Sequence, residues 1–245
     1  MVGVTAYYPT EADALATTNI IGSNGVYTVA SVGGYSYWRL ASNSTGSSSQ
    51  ATVYGVGDVL NSDGAYKLYP AGPCFLEGTK ILCQVDGVDT YVPIETIKPG
   101  TLVKTLRDGY KATELTAKYV INNPGTTGRL QNRLYKCSPL VYPELKTDLY
   151  LTGCHSILVG TLTEKQREET IKQLSRIFIT DNRYRLMACI DERAEPWNSE
   201  GSYTVWHIVL ENVDPKMNYG IYAEGLLVES CSLFFVKNRS NMTVS

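Results

Sequence analysis

Five side chains in this sequence are of types that could together break a peptide bond: Cys74, Thr152, His155, His207 and Cys231. A thiol attacks a carbonyl as its thiolate, so it needs a base beside it or a lowered pKa. If Cys74 attacks the carbonyl of Pro73, the product is a thioester and a free α-amine on Cys74. The amide nitrogen leaves only when it is protonated as it departs, and a histidine near it can serve as that acid. The oxyanion that forms asks for hydrogen-bond donors, a backbone N–H and a hydroxyl. Thr152 and His155, three residues apart around Gly153, are expected to put a hydroxyl and an imidazole on one side of a tight corner. Cys231 reads equally as a second, terminal active-site thiol and as a bland edge residue. His207 reads first as a satisfied structural histidine of a core strand and second as a supporting catalytic group. Spacing leaves a zinc reading open for Cys74, Cys154, His155 and Cys231, but these lack the paired short spacing of a structural site. No metal and no cofactor are therefore expected. Cys83, Cys137 and Cys189 read as small buried hydrophobes.

The elements that must carry these groups are short strands. From Cys74 onward, apolar runs alternate with turn signals. Ile81-Leu82-Cys83-Gln84-Val85 is followed by the turn Asp86-Gly87, then Tyr91-Val92-Pro93-Ile94 with a proline that marks a sheet edge. The pattern continues through Ile97–Leu106, the Arg107-Asp108-Gly109-Tyr110 turn and Leu115–Ile121, with a loop over residues 122–128. Leu149 to Val159 reads as two short strands around the Gly-Cys-His corner. Tyr184–Ile190 reads as a strand or short helix, Tyr203–Glu211 as a strand, and Gly220–Cys231 as two strands joined by Glu224-Gly225. Thr163-Glu164-Lys165-Gln166 has the capping-box form, and Ile171, Leu174 and Ile177-Phe178 follow at helical spacing. The expected fold is all-β, a compact domain with one surface helix, preceded by a small β-rich N-terminal module. The expected boundaries are 1–73 for the module, 74–231 for the domain and 232–245 for a polar, fraying tail. In the module, Gly25–Val32 and Ala51–Val56 read as strands, residues 41–50 as a loop-like Ser-rich tract, and Asn24-Gly25 and Asp63-Gly64 as echoing hairpin turns.

Bulk composition narrows the function classes. The 245 residues are 43% hydrophobic and 19% charged, with 18 tyrosines against 4 phenylalanines, which favours strands. A formal net charge of -2 gives no electrostatic footing for nucleic acid or an anionic membrane. No apolar run has the length of a membrane span, and the first residues lack a secretory pattern. Six cysteines are too few for a disulfide scaffold in this length. Reduced thiols in an intracellular setting are expected.

The stretch from Cys74 to Cys231 resembles the Hint superfamily, the autoprocessing domains of hedgehog proteins and inteins. Cys74-Phe75-Leu76-Glu77-Gly78-Thr79 is similar to the opening block, whose leading cysteine is the acyl-shift nucleophile. Thr152-Gly153-Cys154-His155 is similar to the Thr-x-x-His block, whose threonine and histidine activate the scissile peptide. Tyr222–Cys231 is similar to the closing strand pair. Pro99-Gly100 stands where the family usually has Gly-Asp, with Thr101 in place of the aspartate. The texture is closest to Hint-type proteins of large DNA viruses.

The resemblance implies an autocatalytic N–S acyl shift at Pro73–Cys74, giving N-terminal cleavage or thioester transfer. Glu229-Ser230 stands where an intein ends in His-Asn, so asparagine cyclisation and splicing are not expected. The Tyr119-Val120-Ile121-Asn122-Asn123 region offers no aspartate to activate a sterol. Pro73 stiffens and crowds the carbonyl to be attacked. The implied partners are the protein's own N-terminal segment as substrate and an external nucleophile. The alternative is a non-cleaving structural or virion-associated protein that keeps the fold and makes capsid assembly contacts.

Overall fold

The computed structural model describes residues 4–8, 22–24, 37–41, 52–55, 72–240 and 242–244. The chain divides into two compact units, Met1–Pro70 and Ala71–Ser245. In the first, β1 (Val4–Tyr8), β2 (Gly22–Asn24), β3 (Tyr37–Ala41) and β4 (Thr52–Gly55) form an antiparallel sheet of order β2-β1-β3-β4. Strand β4 falls within the expected Ala51–Val56 run. Asn24, expected as a turn residue, instead pairs with Thr5 in β2. The Gly25–Val32 strand, residues 42–50 of the Ser-rich tract and the Asp63-Gly64 turn lie outside the described residues.

The second unit is all-β. Its strands begin with β5 (Phe75–Leu76), β6 (Lys80–Val85), β7 (Val88–Pro93) and β8 (Leu102–Lys104). The hairpin between β6 and β7 closes on Asp86 and Gly87, both with positive φ (50° and 79°), the conformation that an Asp-Gly pair tolerates. Strand β7 pairs with β6 and carries its proline at the sheet edge. The long strand β9 (Tyr110–Asn123, 14 residues) pairs with β8 at its start and with β16 (Gly201–Leu210) along the rest. It is longer than the sequence indicates at both ends, because Tyr110–Ala112 pair with β8 and Asn122 and Asn123 stay in the ladder with β16. The buried Asn123 amide donates to the Trp197 and Ser199 carbonyls and its oxygen accepts from the Leu134 amide.

Strands β10 (Leu134–Cys137), β11 (Leu149–Thr152) and β12 (Ser156–Val159) come next, with β13 (Ile179–Thr180), β14 (Arg183–Met187), β15 (Glu195–Pro196), β17 (Gly220–Ala223) and β18 (Leu226–Glu229) after the helix. All join one hydrogen-bonded path, and every strand pair among the described residues is antiparallel.

Helix α1 (Glu164–Leu174) has the expected capping box: the Thr163 hydroxyl accepts from the Gln166 amide, and the Gln166 side chain accepts from the Thr163 amide. Ser175 then turns left-handed (φ 61°) and stops the helix. Ile177 and Phe178 are therefore outside it, although their spacing is helical. Thr163→Ala is expected to remove the hydroxyl's bond from the Gln166 amide, while the Thr163 amide keeps its bond to the Gln166 side chain, and to cost about 1 kcal/mol, read as a lower urea midpoint. An unchanged midpoint would show that the cap contributes nothing.

The C-terminal segment corrects the expected fraying tail. Residues 233–239 form helix α2 (Leu233–Arg239), whose Ser232 hydroxyl accepts from the Phe235 amide. Strand β19 (Thr243–Val244) then pairs with β9. The reason is apolar: Val236 and Met242 are buried in the same cluster as Cys74, Leu115, Val205 and Cys231. Burying such groups outweighs the polarity of their neighbours in sequence. A second, larger cluster holds Phe75, Ile81, Tyr135, Trp206 and Ile208 on the other side of these strands. No helix among the described residues is long and apolar enough to cross a membrane.

Candidate active site

The site is assembled where β5, β11 and β16 lie side by side. Phe75 pairs with Leu151 on one edge and with Trp206 on the other. This register sets Cys74 beside Thr152. The Cys74 amide donates to the Thr152 hydroxyl at 2.9 Å, and the Thr152 amide returns a bond to the Cys74 carbonyl at 2.9 Å. The same hydroxyl donates to the Gly72 carbonyl at 3.0 Å. Residues 72 and 73 are thus held by the second unit, which begins at Ala71 rather than at the expected Cys74.

After Thr152 the chain turns sharply. The Gly153 amide donates to the Arg133 carbonyl, the Cys154 amide to Gln131 and the His155 amide to Thr152, while the Gly153 and His155 carbonyls accept from Cys189 and Ala188. Thr152 and His155 are each fully buried at this corner. The Thr152 hydroxyl and the His155 imidazole both reach the main chain of Cys74.

His155 Nε2 lies 3.1 Å from the Glu229 carbonyl. A carbonyl only accepts, so Nε2 carries the proton and Nδ1 keeps its lone pair. That Nδ1 is buried with no hydrogen-bond partner. Burial lowers the His155 pKa to about 4, against the opposing pull of the Glu229 charge and of the Glu229 and Cys74 backbone. The imidazole is neutral at neutral pH, and it lies against the backbone of Cys74.

Glu229 is fixed in turn. Its carboxylate pairs with Arg185 at 2.9 Å and accepts from the Ser156 amide at 3.1 Å. Its carbonyl therefore has a set position under the histidine.

His207 lies on β16 with its ring centroid 5.0 Å from that of His155 and 5.5 Å from Phe75, which also packs on His155 at 4.2 Å. His207 Nδ1 accepts from the Ile208 amide at 3.0 Å, so Nε2 carries the proton, and this N–H is buried without a partner. Burial, then the neighbouring His155, holds its pKa well below the ordinary imidazole value.

The thiols converge as well. Burial pushes the Cys74 thiol well above the ordinary thiol range, and Cys154 and Cys231 beside it push it further. Cys154 Sγ is 3.5 Å from the Thr152 hydroxyl, and burial raises its pKa to about 12. The Cys231 amide donates to the Ile208 carbonyl, and the residue is buried in the Cys74 cluster. All five residues singled out in the sequence thus meet at one place. Cys83, Cys137 and Cys189 sit in the other cluster as packed hydrophobes. Among the described residues no group of three or more Cys, His, Asp and Glu is arranged to hold a metal ion.

Glu229 and Arg185 were not legible as site residues. Glu229 counts in the sequence only as a departure from the intein ending, and its role depends on a main-chain carbonyl that any residue type carries. No family model matches this chain, and no curated protein matches it.

Proposed function

We propose that the second unit is a self-processing domain of Hint type in which Cys74 performs an N–S acyl shift at Pro73. The observation that carries the reading is that Thr152 holds the Cys74 N–H at 2.9 Å, while His155, whose Nδ1 has no hydrogen-bond partner, lies against the main chain of the same residue. The thiol proton passes to Nδ1 as the sulfur attacks the Pro73 carbonyl carbon. The C–S bond forms, the C–N bond breaks, and the imidazolium returns the proton to the departing Cys74 nitrogen. The product is a thioester of residues 1–73 with a free amine on Cys74. Water or an external thiol then takes the acyl group. A neutral imidazole of low pKa suits this exchange, because it accepts the proton only transiently and gives it back readily. The raised thiol pKa requires the proton to leave as the bond forms, since a standing thiolate is scarce. Splicing is not part of the reading, because the Glu229 carboxylate is committed to Arg185 and the Ser156 amide and Ser230 has no amide side chain to cyclise.

A second reading, a structural protein that keeps this arrangement without cleaving, is favoured by the complete burial of Cys74. Intact mass of the full chain with and without dithiothreitol separates the two. The expected result is a fragment ending at Pro73 that accumulates with the thiol and is absent in Cys74→Ala and His155→Ala. A chain that stays whole for days under both conditions rules the activity out.

A further inference from the structure

The proposed acyl shift creates an oxyanion at Pro73, and neither Thr152 nor His155 has a proton to offer it. The Thr152 hydroxyl accepts from the Cys74 amide and spends its own proton on the Gly72 carbonyl. The His155 N–H is given to Glu229. Two buried donors in the same place have nothing to bind: the Tyr119 hydroxyl and His207 Nε2–H. A buried donor left unpaired costs about 1–3 kcal/mol, so a cluster of them needs a reason.

Tyr119 is on β9 at even spacing from Leu115, Ala117 and Ile121. It therefore faces the Cys74 side of the sheet, and it packs against the cluster that contains Cys74, Val205 and Cys231. Its neighbour on β16 is Val205, which pairs onward with Leu76, two residues beyond Cys74. Burial, then the Cys74 and Cys154 thiols, raises its pKa well above the ordinary phenol value, so at neutral pH it is a donor. His207 is opposite Ala117, two residues from Val205 on the same face of β16.

Resting on the reading of Cys74 as nucleophile, we propose that Tyr119 is a catalytic residue of the acyl shift: its hydroxyl, with His207 Nε2–H beside it, donates to the oxygen that becomes negative at Pro73. The two donors are unpaired at rest because their partner exists only while the tetrahedral intermediate does. Interactions made only at that stage lower the barrier without strengthening the ground state.

The test is Tyr119→Phe in the full chain. At saturating dithiothreitol the cleavage rate reaches a plateau set by the acyl shift. Loss of one oxyanion donor is expected to lower that plateau about 10²-fold, with the thiol concentration for half-maximal rate and the melting temperature unchanged or the latter raised. If the parent chain cleaves and Tyr119→Phe reaches the same plateau, the inference is overturned and the nucleophile assignment stands. If the variant loses its fold, the hydroxyl holds the resting structure and the inference is equally overturned. If the parent does not cleave, both fall together.

Discussion

Gly153→Ala is expected to destabilise the second unit by about 3 kcal/mol or more and to abolish the cleavage proposed at Pro73. A Cβ at this position would stand 2.4 Å from the Leu130 carbonyl oxygen, 2.7 Å from the Tyr135 ring and 2.9 Å from the Gln131 carbonyl oxygen. Two of these three atoms are main chain, so no side-chain rotation relieves the overlap. The corner is also clamped from both sides, with the Gly153 amide on Arg133 and its carbonyl on the Cys189 amide. Any retreat moves Thr152 and His155, which flank the glycine, and with them the bond to the Cys74 amide. A displacement of about 1 Å at a reacting group costs on the order of a hundredfold in rate. Gly128→Ala is the control, since nothing lies within 4 Å of its Cβ position. Urea unfolding and intact mass of both variants check the expectation. A Gly153→Ala midpoint equal to that of Gly128→Ala would show that the corner yields freely.

The second large effect is acid instability. His155 is held at about 4 against an ordinary value of 6.5, chiefly by burial. Between those values the unfolded chain binds a proton that the folded chain does not. Stability therefore rises with pH across this window, is fully present above 6.5 and is lost as pH falls toward 4. One such histidine accounts for about 1.4 kcal/mol per pH unit, or roughly 3 kcal/mol over the window. His207, lowered by burial and by His155, acts with the same sign. Urea midpoints at pH 7, 6 and 5 should fall steeply for the parent. They should fall less steeply for His207→Gln, by about one proton's worth. Equal slopes in the two proteins would mean that the unfolded chain gains no extra proton at this histidine.

What the sequence revealed and what it hid divide along physical lines. Strands with local signals were legible: the Asp86-Gly87 turn, the Glu224-Gly225 turn and the Thr163 capping box each depend on residues a few positions apart. Thr152 and His155 were legible because they share one corner with Cys74's neighbour strand. The C-terminal segment was not, because its order comes from Val236 and Met242 meeting Cys74 from more than 160 residues away. Phe178 was misplaced because helical spacing continues past Ser175, where the backbone turns left-handed. Tyr119 had no signal at all among 18 tyrosines. It stands out only once a burial and a missing partner are known, and both are properties of tertiary structure.

The C-terminal segment also sets a clock. Phe235 and Met242 stand 3.3 Å and 3.6 Å from where a Cβ of Gly72 would be, and the Cys74 cluster is unfinished without Val236 and Met242. During synthesis Cys74 leaves the ribosome long before these residues exist. At about 5–20 residues per second, the intervening stretch takes roughly ten to thirty seconds to make. The first unit therefore has that interval to fold before the Cys74 cluster is complete. If Cys74 attacks Pro73 as proposed, that step waits for Val236 and Met242 to complete the cluster, so the order of translation itself keeps folding of the first unit and cleavage apart.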